Sequence, residues 1–383
     1  MASSQLPQFK GRPGWEFTDL SGLDLTAYEP VSAAEAKVVP SGQPLFDLAE
    51  PAALPAGVIV TPIAAAAVEH RELLHRHLGS LVSADDIFTT LNDAAEYRDG
   101  TFVYVPRGVV VEEPISLRTI QARTGTMLHQ RTVIVLEDGA QATVWEQYLS
   151  GSAEQDALLN VVTELIVGDA ANLRYVCGQA LSERSWIFGA QRAQVGRDAT
   201  LDWVALGFGS ARGRVRMETR LVGQGASARV TGAYAPHGRQ HIDFDTTQEH
   251  AAPNTTSDLA FRGVLQGRST AVWRGNIIVD PDAQKTDAFQ ESRNLLISKR
   301  AHADANPGLE NQANDVRCTH AAAVAQVDPE QLFYLRSRGL DEDTAKRLVI
   351  EGFLSGLVER FEEGPVREQL AEVLERRLAL VLE

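Results

Sequence analysis

Four segments decide the fold: EDGAQATV (137–144), VGDAANLRYV (167–176), VGRDATLDWV (195–204) and VGQGASARV (222–230). Each places a Gly/Asp–Ala corner ahead of a β-favouring run. Aligned on Ala140, Ala170, Ala199 and Ala226, the corners recur at spacings of 30, 29 and 27 residues. Self-similarity on that period is expected of stacked coils, each burying its inner face on its neighbours. A β-sandwich also sets its turns every 8–12 residues or so, but it has no reason to repeat near thirty. The spacing therefore favours a mainly β fold built on a β-solenoid core. Further runs, among them TFVYV (101–105), TVIVL (132–136), LNVVTELIV (159–167), LRYVCGQ (173–179) and AVWRGNIIV (271–279), extend the core over residues 99–327.

Outward from this core the texture changes on both sides. Pro7, Pro13, Pro30, Pro40, Pro44, Pro51 and Pro55 mark the first sixty residues as an irregular, partly mobile arm. AAAAVEHRELLHRHL (64–78) and DIFTTLNDAAEY (86–97) read as two helices, the second with Ser83 or Asp85 as its N-cap. Residues 1–98 thus form an N-terminal arm and helical region. After the core, Asp328 precedes Pro329, an N-cap followed by proline at the first helical position. Gly339 then ends that helix, Asp341 opens a second, and Gly364-Pro365 separates it from a third that runs to about Leu382. Residues 328–383 are a C-terminal helical bundle whose apolar stripes cap the solenoid or face a partner.

The 383 residues carry 36 Lys+Arg against 51 Asp+Glu, a net charge of −15, which argues against binding nucleic acid through phosphates. No run of about 18 apolar residues suggests a membrane span, and the N-terminus lacks the apolar centre of a signal peptide. With two cysteines, Cys177 and Cys318, there is no disulfide framework. A cytoplasmic location is expected.

Cys318 and His320 are the first candidates for chemistry. In a strand they share one face, and thiolate and imidazole both suit iron. Two ligands cannot complete a metal site, so the residues alone leave a buried cysteine and a hydrogen-bonded histidine as the simpler reading. His241, Asp243 and Asp245 alternate with Ile242 and Phe244, offering an imidazole and two carboxylates on one strand face; His237 and His250 lie nearby. The same alternation describes any half-exposed strand, and the structural reading is preferred. His70 and His77 could share a helix face, where a solvated surface is preferred. Cys177 reads as a small core residue, and the arginines from Arg192 to Arg220 as a solvated solenoid face. Gly-Lys, G-x-S-x-G, H-E-x-x-H and Cys-x-x-Cys are all absent, so no nucleotide-phosphate loop or common hydrolase signature equips the chain to work alone.

RNLLIS (293–298), A-x-A-x-x-x-P-x-L-E (301–310), DVRCTH (315–320) and DPEQLFYLRSRG (328–339), in that order, resemble the SufB/SufD family of iron–sulfur cluster assembly scaffolds. The SufB type is usually longer and richer in cysteine, with Glu after the histidine where this chain has Ala321, so the resemblance is to the SufD type. Asn314 stands where the family pattern has an acid. The resemblance implies a right-handed parallel β-helix and a non-catalytic scaffold that pairs with a SufB-like subunit. It also implies a SufC-like ATPase bound through the C-terminal helices, and an iron–sulfur cluster or iron held transiently at a subunit interface. There His320 would be the functional residue, with Cys318 an undecided companion. Two rivals stay open: a β-helix carbohydrate-active enzyme and a metal-free structural adaptor. A homodimer without partners and flavin binding also stay open.

Overall fold

The computed structural model describes residue 6 and residues 14–31, 44–47, 53–95 and 99–382. Pro7, Pro13, Pro40 and Pro51 of the arm, and the expected helix end at Tyr97, lie outside the described residues. Within them, β1 (Glu29–Val31) pairs with β5 (Thr126–Leu136), and β2 (Ile59–Pro62) pairs antiparallel with β3 (Asp99–Val105). From β3 onward the strands alternate strictly between two parallel sheets. One runs, from the β3 side, through β5, β7 (Ala157–Val167), β9 (Trp186–Val195), β11 (Arg212–Leu221), β13 (His241–His250), β15 (Thr270–Val279) and β17 (His302–Asn311). The other runs β4 (Ile115–Gln121), β6 (Gln141–Ser150), β8 (Asn172–Ala180), β10 (Thr200–Gly207), β12 (Ser227–Tyr234), β14 (Thr256–Leu265), β16 (Asp287–Leu296) and β18 (Arg317–Gln326). Each strand hydrogen-bonds to the next but one in sequence, which is the parallel β-solenoid read from the repeat.

The register confirms the period and corrects one position. Gln141 pairs with Asn172, and the column continues through Thr200, Ser227, Thr256, Asp287 and Arg317, steps of 27 to 31 residues. The equivalent corner alanines are therefore Ala140, Ala171, Ala199 and Ala226, all fully buried, and not Ala170. Ala170 occupies the turn one residue earlier, at φ 56°, in line with Gly139, Asp198, Gly225, Asn254 and Lys285, which are also left-handed. Each donates its N–H to a carbonyl of the next coil: Gly139 to Asp169 at 2.8 Å, Ala170 to Arg197 at 2.7 Å, Asp198 to Gln224 at 2.9 Å. The left-handed turn aims the donor along the stack, and the small alanine after it fits where the coil bends inward.

The lumen is filled by inward residues of both sheets, including Ile134, Leu165, Tyr175, Trp203, Phe244 and Trp273. Their outer faces are covered too. Trp15, Leu20 and Leu23 of the arm lie with Phe88 over Leu158 and Phe188. On the other sheet Phe46, Leu357, Phe361 and Leu370 lie over Trp145, Val176 and Val204. Strand β5 is consequently buried at every position, which is why TVIVL reads as a continuous apolar run instead of an alternating one.

The helices differ from the sequence reading at two points. The first expected helix is two, α1 (Ile63–Glu69) and α2 (Arg71–His77), because His70 leaves the helical region at φ −130°; the bend lays Ile63, Ala66 and Leu74 against Phe102, Val133 and Val135. Asp86, and not Ser83 or Asp85, caps α3 (Ile87–Ala94): its carboxylate accepts the Thr89 N–H while the Thr89 hydroxyl accepts the Asp86 N–H. Asp85 instead meets Arg216 at 3.0 Å. The C-terminal helices are α4 (Pro329–Ser337), α5 (Glu342–Val358) and α6 (Pro365–Leu382), with Asp328 and Asp341 capping the first two as expected.

Candidate functional site

The solenoid ends at β17 and β18. Among the described residues each has a strand partner on one side only, β15 and β16, so both terminal strands present an unpaired edge. The register places Cys318 over Ala288 and His320 over Gln290. The His320 column continues through Leu259, Val230, Trp203 and Tyr175, all buried lumen residues. His320 therefore sits on the inward face of its strand and is exposed because no further coil covers it. Ala322 and Val324, over Ser292 and Asn294, are exposed for the same reason.

Cys318 is only half-buried. It packs beside Ile277, Ala288 and Ala313. Burial pushes its thiol up, and the Asp287 carboxylate adds to the shift. Arg317 is exposed and lies 3.7 Å from Asp287. These surroundings favour the thiol over the thiolate. No group of three or more metal-ligating side chains occurs among the described residues, so Cys318 and His320 would need ligands from elsewhere to hold iron. Beneath His320, the Gln290 amide donates to the Gly275 and Gly308 carbonyls at 3.2 and 2.9 Å, while its own Oε1 has no hydrogen-bond donor among the described residues.

The second set resolves differently. His241, Asp243 and Asp245 do share the outer face of β13, but the arm covers them. The Thr18 hydroxyl donates to Asp243 at 2.6 Å. Arg214 reaches Asp243 at 3.5 Å and Asp245 at 2.7 Å, and Arg274 reaches Asp245 at 2.6 Å. Two arginines on two carboxylates leave no charge for a cation to satisfy. Burial, reinforced by Arg212, lowers His241 to about 4, and its Nδ1 is 2.7 Å from the Thr270 hydroxyl. This cluster anchors the arm. His237 and His250 are not part of it: His237 lies between Arg377 and Glu183, and His250 places its ring nitrogens 2.8 and 2.9 Å from the hydroxyls of Thr255 and Ser257. The arginine run is ion-paired with acids rather than merely solvated: Arg192 with Glu218, Arg216 with Asp85, Arg220 with Glu249.

Two fully buried acids, Glu146 and Glu164, are not singled out by the sequence. Glu146, inward on β6, is fully buried and accepts hydrogen bonds from Thr132 at 2.6 Å and Tyr175 at 2.5 Å. Burial raises its carboxyl, and the hydroxyls partly oppose the shift. Its signal was available in TVWEQYL, where Glu146 alternates in phase with Val144 and Tyr148. Cys177, across from Gln191, is a core thiol as expected, pushed up to about 12 by burial.

Comparison with known sequences covers most of the chain. The family model described as "SUF system FeS cluster assembly, SufBD core domain" matches residues 118–353, from β4 into α5. The chain belongs to the SufBD family. A model of the SufBD protein N-terminal region matches residues 41–117. The iron–sulfur cluster assembly protein SufD of Bacillus subtilis is 34% identical over 325 residues, 84% of this chain and 74% of that one. An iron–sulfur cluster assembly SufBD family protein of Mycobacterium tuberculosis is 31% identical, over 75% of this chain and 73% of its own length. The chloroplastic protein ABCI7 of Arabidopsis thaliana is 27% identical over 96% of this chain and 82% of its own. The chain is thus a SufD-like member of an iron–sulfur cluster assembly family. No helix among the described residues is long and apolar enough to cross a membrane.

Proposed function

We propose that this chain is a SufD-type scaffold subunit that works in the cytoplasm by closing the open end of its solenoid against a SufB-like subunit. The terminal coil carries the proposal. It has two unpaired parallel edges and an inward face, with His320, Ala322 and Val324, that is buried in every earlier coil and bare here. A partner solenoid offering its own open end would continue both sheets, bury that face and bring ligands beside His320. An exposed imidazole can bind iron. The nascent cluster is cargo, and the half-buried Cys318 thiol would be at most a secondary ligand. A SufC-like ATPase would dock on the C-terminal helices, where Phe333 and Tyr334 of α4 are 75% and 57% exposed and an open groove of about 540 Å³ runs beside Leu335 and Leu348. The chain itself would perform no catalysis. A β-helix carbohydrate enzyme would need acidic residues in an accessible groove, whereas Asp243 and Asp245 lie beneath the arm, bonded to arginines.

His320→Ala in the assembled complex tests the reading. Iron and sulfide content after anaerobic assembly should fall at least tenfold with the melting temperature unchanged, and Cys318→Ser should do less. Normal cluster yield from His320→Ala would remove His320 from the function.

A further inference from the structure

Residues 44–47 reach the solenoid without joining its sheets, yet Phe46 is fully buried there. Its ring meets Trp145 edge-on at 4.6 Å between centroids and packs among residues of the solenoid and of the C-terminal helices alike. Among the described residues, its backbone partners are side chains. The Gln147 amide oxygen accepts the N–H groups of Leu45 and Phe46 at 3.0 and 3.3 Å, and its nitrogen donates to the Phe46 carbonyl at 3.0 Å. From α6, Arg376 donates to the carbonyls of Pro44 and Leu45 at 3.3 and 2.6 Å. Gly178 makes the seat possible, since a Cβ there would lie 2.9 Å from Leu45 and 3.1 Å from Phe46.

A pocket for one aromatic ring, with donors and acceptors that read main-chain groups, is how proteins recognise extended peptides. We infer that Gln147, Gly178 and Arg376 form a peptide-recognition site, filled here in cis by Leu45–Phe46 and able to take the same Leu–Phe dipeptide from a separate chain. The site spans solenoid and α6, so its occupancy governs how firmly α6 is held. The inference is independent of the role given to His320.

The test uses the full-length chain carrying Phe46→Ala and the synthetic peptide QPLFDLA, residues 43–49. Without peptide, amide exchange in α6 should quicken at least tenfold. Peptide should bind saturably in the micromolar to millimolar range, since a tether of this kind supplies an effective concentration near millimolar, and should restore the protection. A peptide with alanine for the phenylalanine, or Gly178→Val added to the chain, should abolish binding. If Phe46→Ala does not fold alone, co-expression with the peptide on a carrier protein should rescue soluble yield. A folded Phe46→Ala chain with unchanged α6 exchange and no binding at millimolar peptide, or failure of the carrier to rescue, would overturn the inference.

Discussion

Glu164→Ala removes the anchor that joins the segment after α2 to the solenoid. Glu164 is fully buried on the outer face of β7 and serves five donors: the N–H groups of Gly79, Leu81 and Val82 at 2.8, 2.7 and 3.1 Å, and the Nε and Nη2 of Arg131 at 3.2 and 3.0 Å. Removing one member of a buried pair costs about 3–5 kcal/mol, because the remaining charge stays in a dry site. Arg131 would retain Asp93 at 3.7 Å, which is half-exposed and screened, so the lower half of that range applies to the arginine. Three backbone donors lose their acceptor, at about 1–3 kcal/mol each if they stay buried. Of the three, Gly79 is exposed and Leu81 half-buried and both can lift into water, which caps their share, while Val82 is buried. The expected loss is therefore about 4 kcal/mol, with Leu81 and Val82 becoming the fastest-exchanging amides of the segment. Glu164→Gln, able to accept through only one oxygen, should lose about half as much. Urea unfolding followed at two probes and amide exchange at Leu81 measure both effects. A Glu164→Ala chain within 1 kcal/mol of the parent, with Leu81 still protected, would refute the anchor.

Three further outcomes are expected. His129, His241 and His250 are each lowered to about 4 by burial, so between pH 6.5 and 4 the unfolded chain binds more protons than the folded one. Their stabilisation is complete above pH 6.5 and is lost as pH falls toward 4, by up to about 3 kcal/mol each; His250→Gln should reduce the slope of urea midpoint against pH. Ala170→Gly should raise the melting temperature, because φ 56° costs alanine about 1–2 kcal/mol against about 0.5–1 kcal/mol of added chain entropy for glycine; an unchanged or lower value would show that the turn tolerates a Cβ. At pH 8 a disulfide reagent should modify one thiol, Cys318, and reach Cys177 only after unfolding, since that thiol is pushed up to about 12 in the lumen; two fast-reacting thiols would show an open solenoid.

What the sequence determined by itself is whatever depends on neighbours a few residues away or one coil away. The corner repeat specified the solenoid because each coil solves the same problem as the last, with a left-handed turn, a small buried residue and a β run. Asp328 and Asp341 were legible as caps because their partners, the N–H groups of Glu330 and Thr344, lie two and three residues on. Tertiary structure alone decided the rest. Nothing in HIDFD shows that Thr18, more than two hundred residues earlier, covers Asp243, or that Arg214 and Arg274 pair with Asp243 and Asp245 from the flanking strands. HADANPGLEN holds Pro307 and Gly308 and reads poorly as a strand, yet it forms β17 because its register on β15 is imposed by the stack. His320 obeys the pattern of a buried lumen residue and is nevertheless exposed. Its strand is the last of the stack, and only the three-dimensional arrangement shows that none of the described residues forms a coil above it.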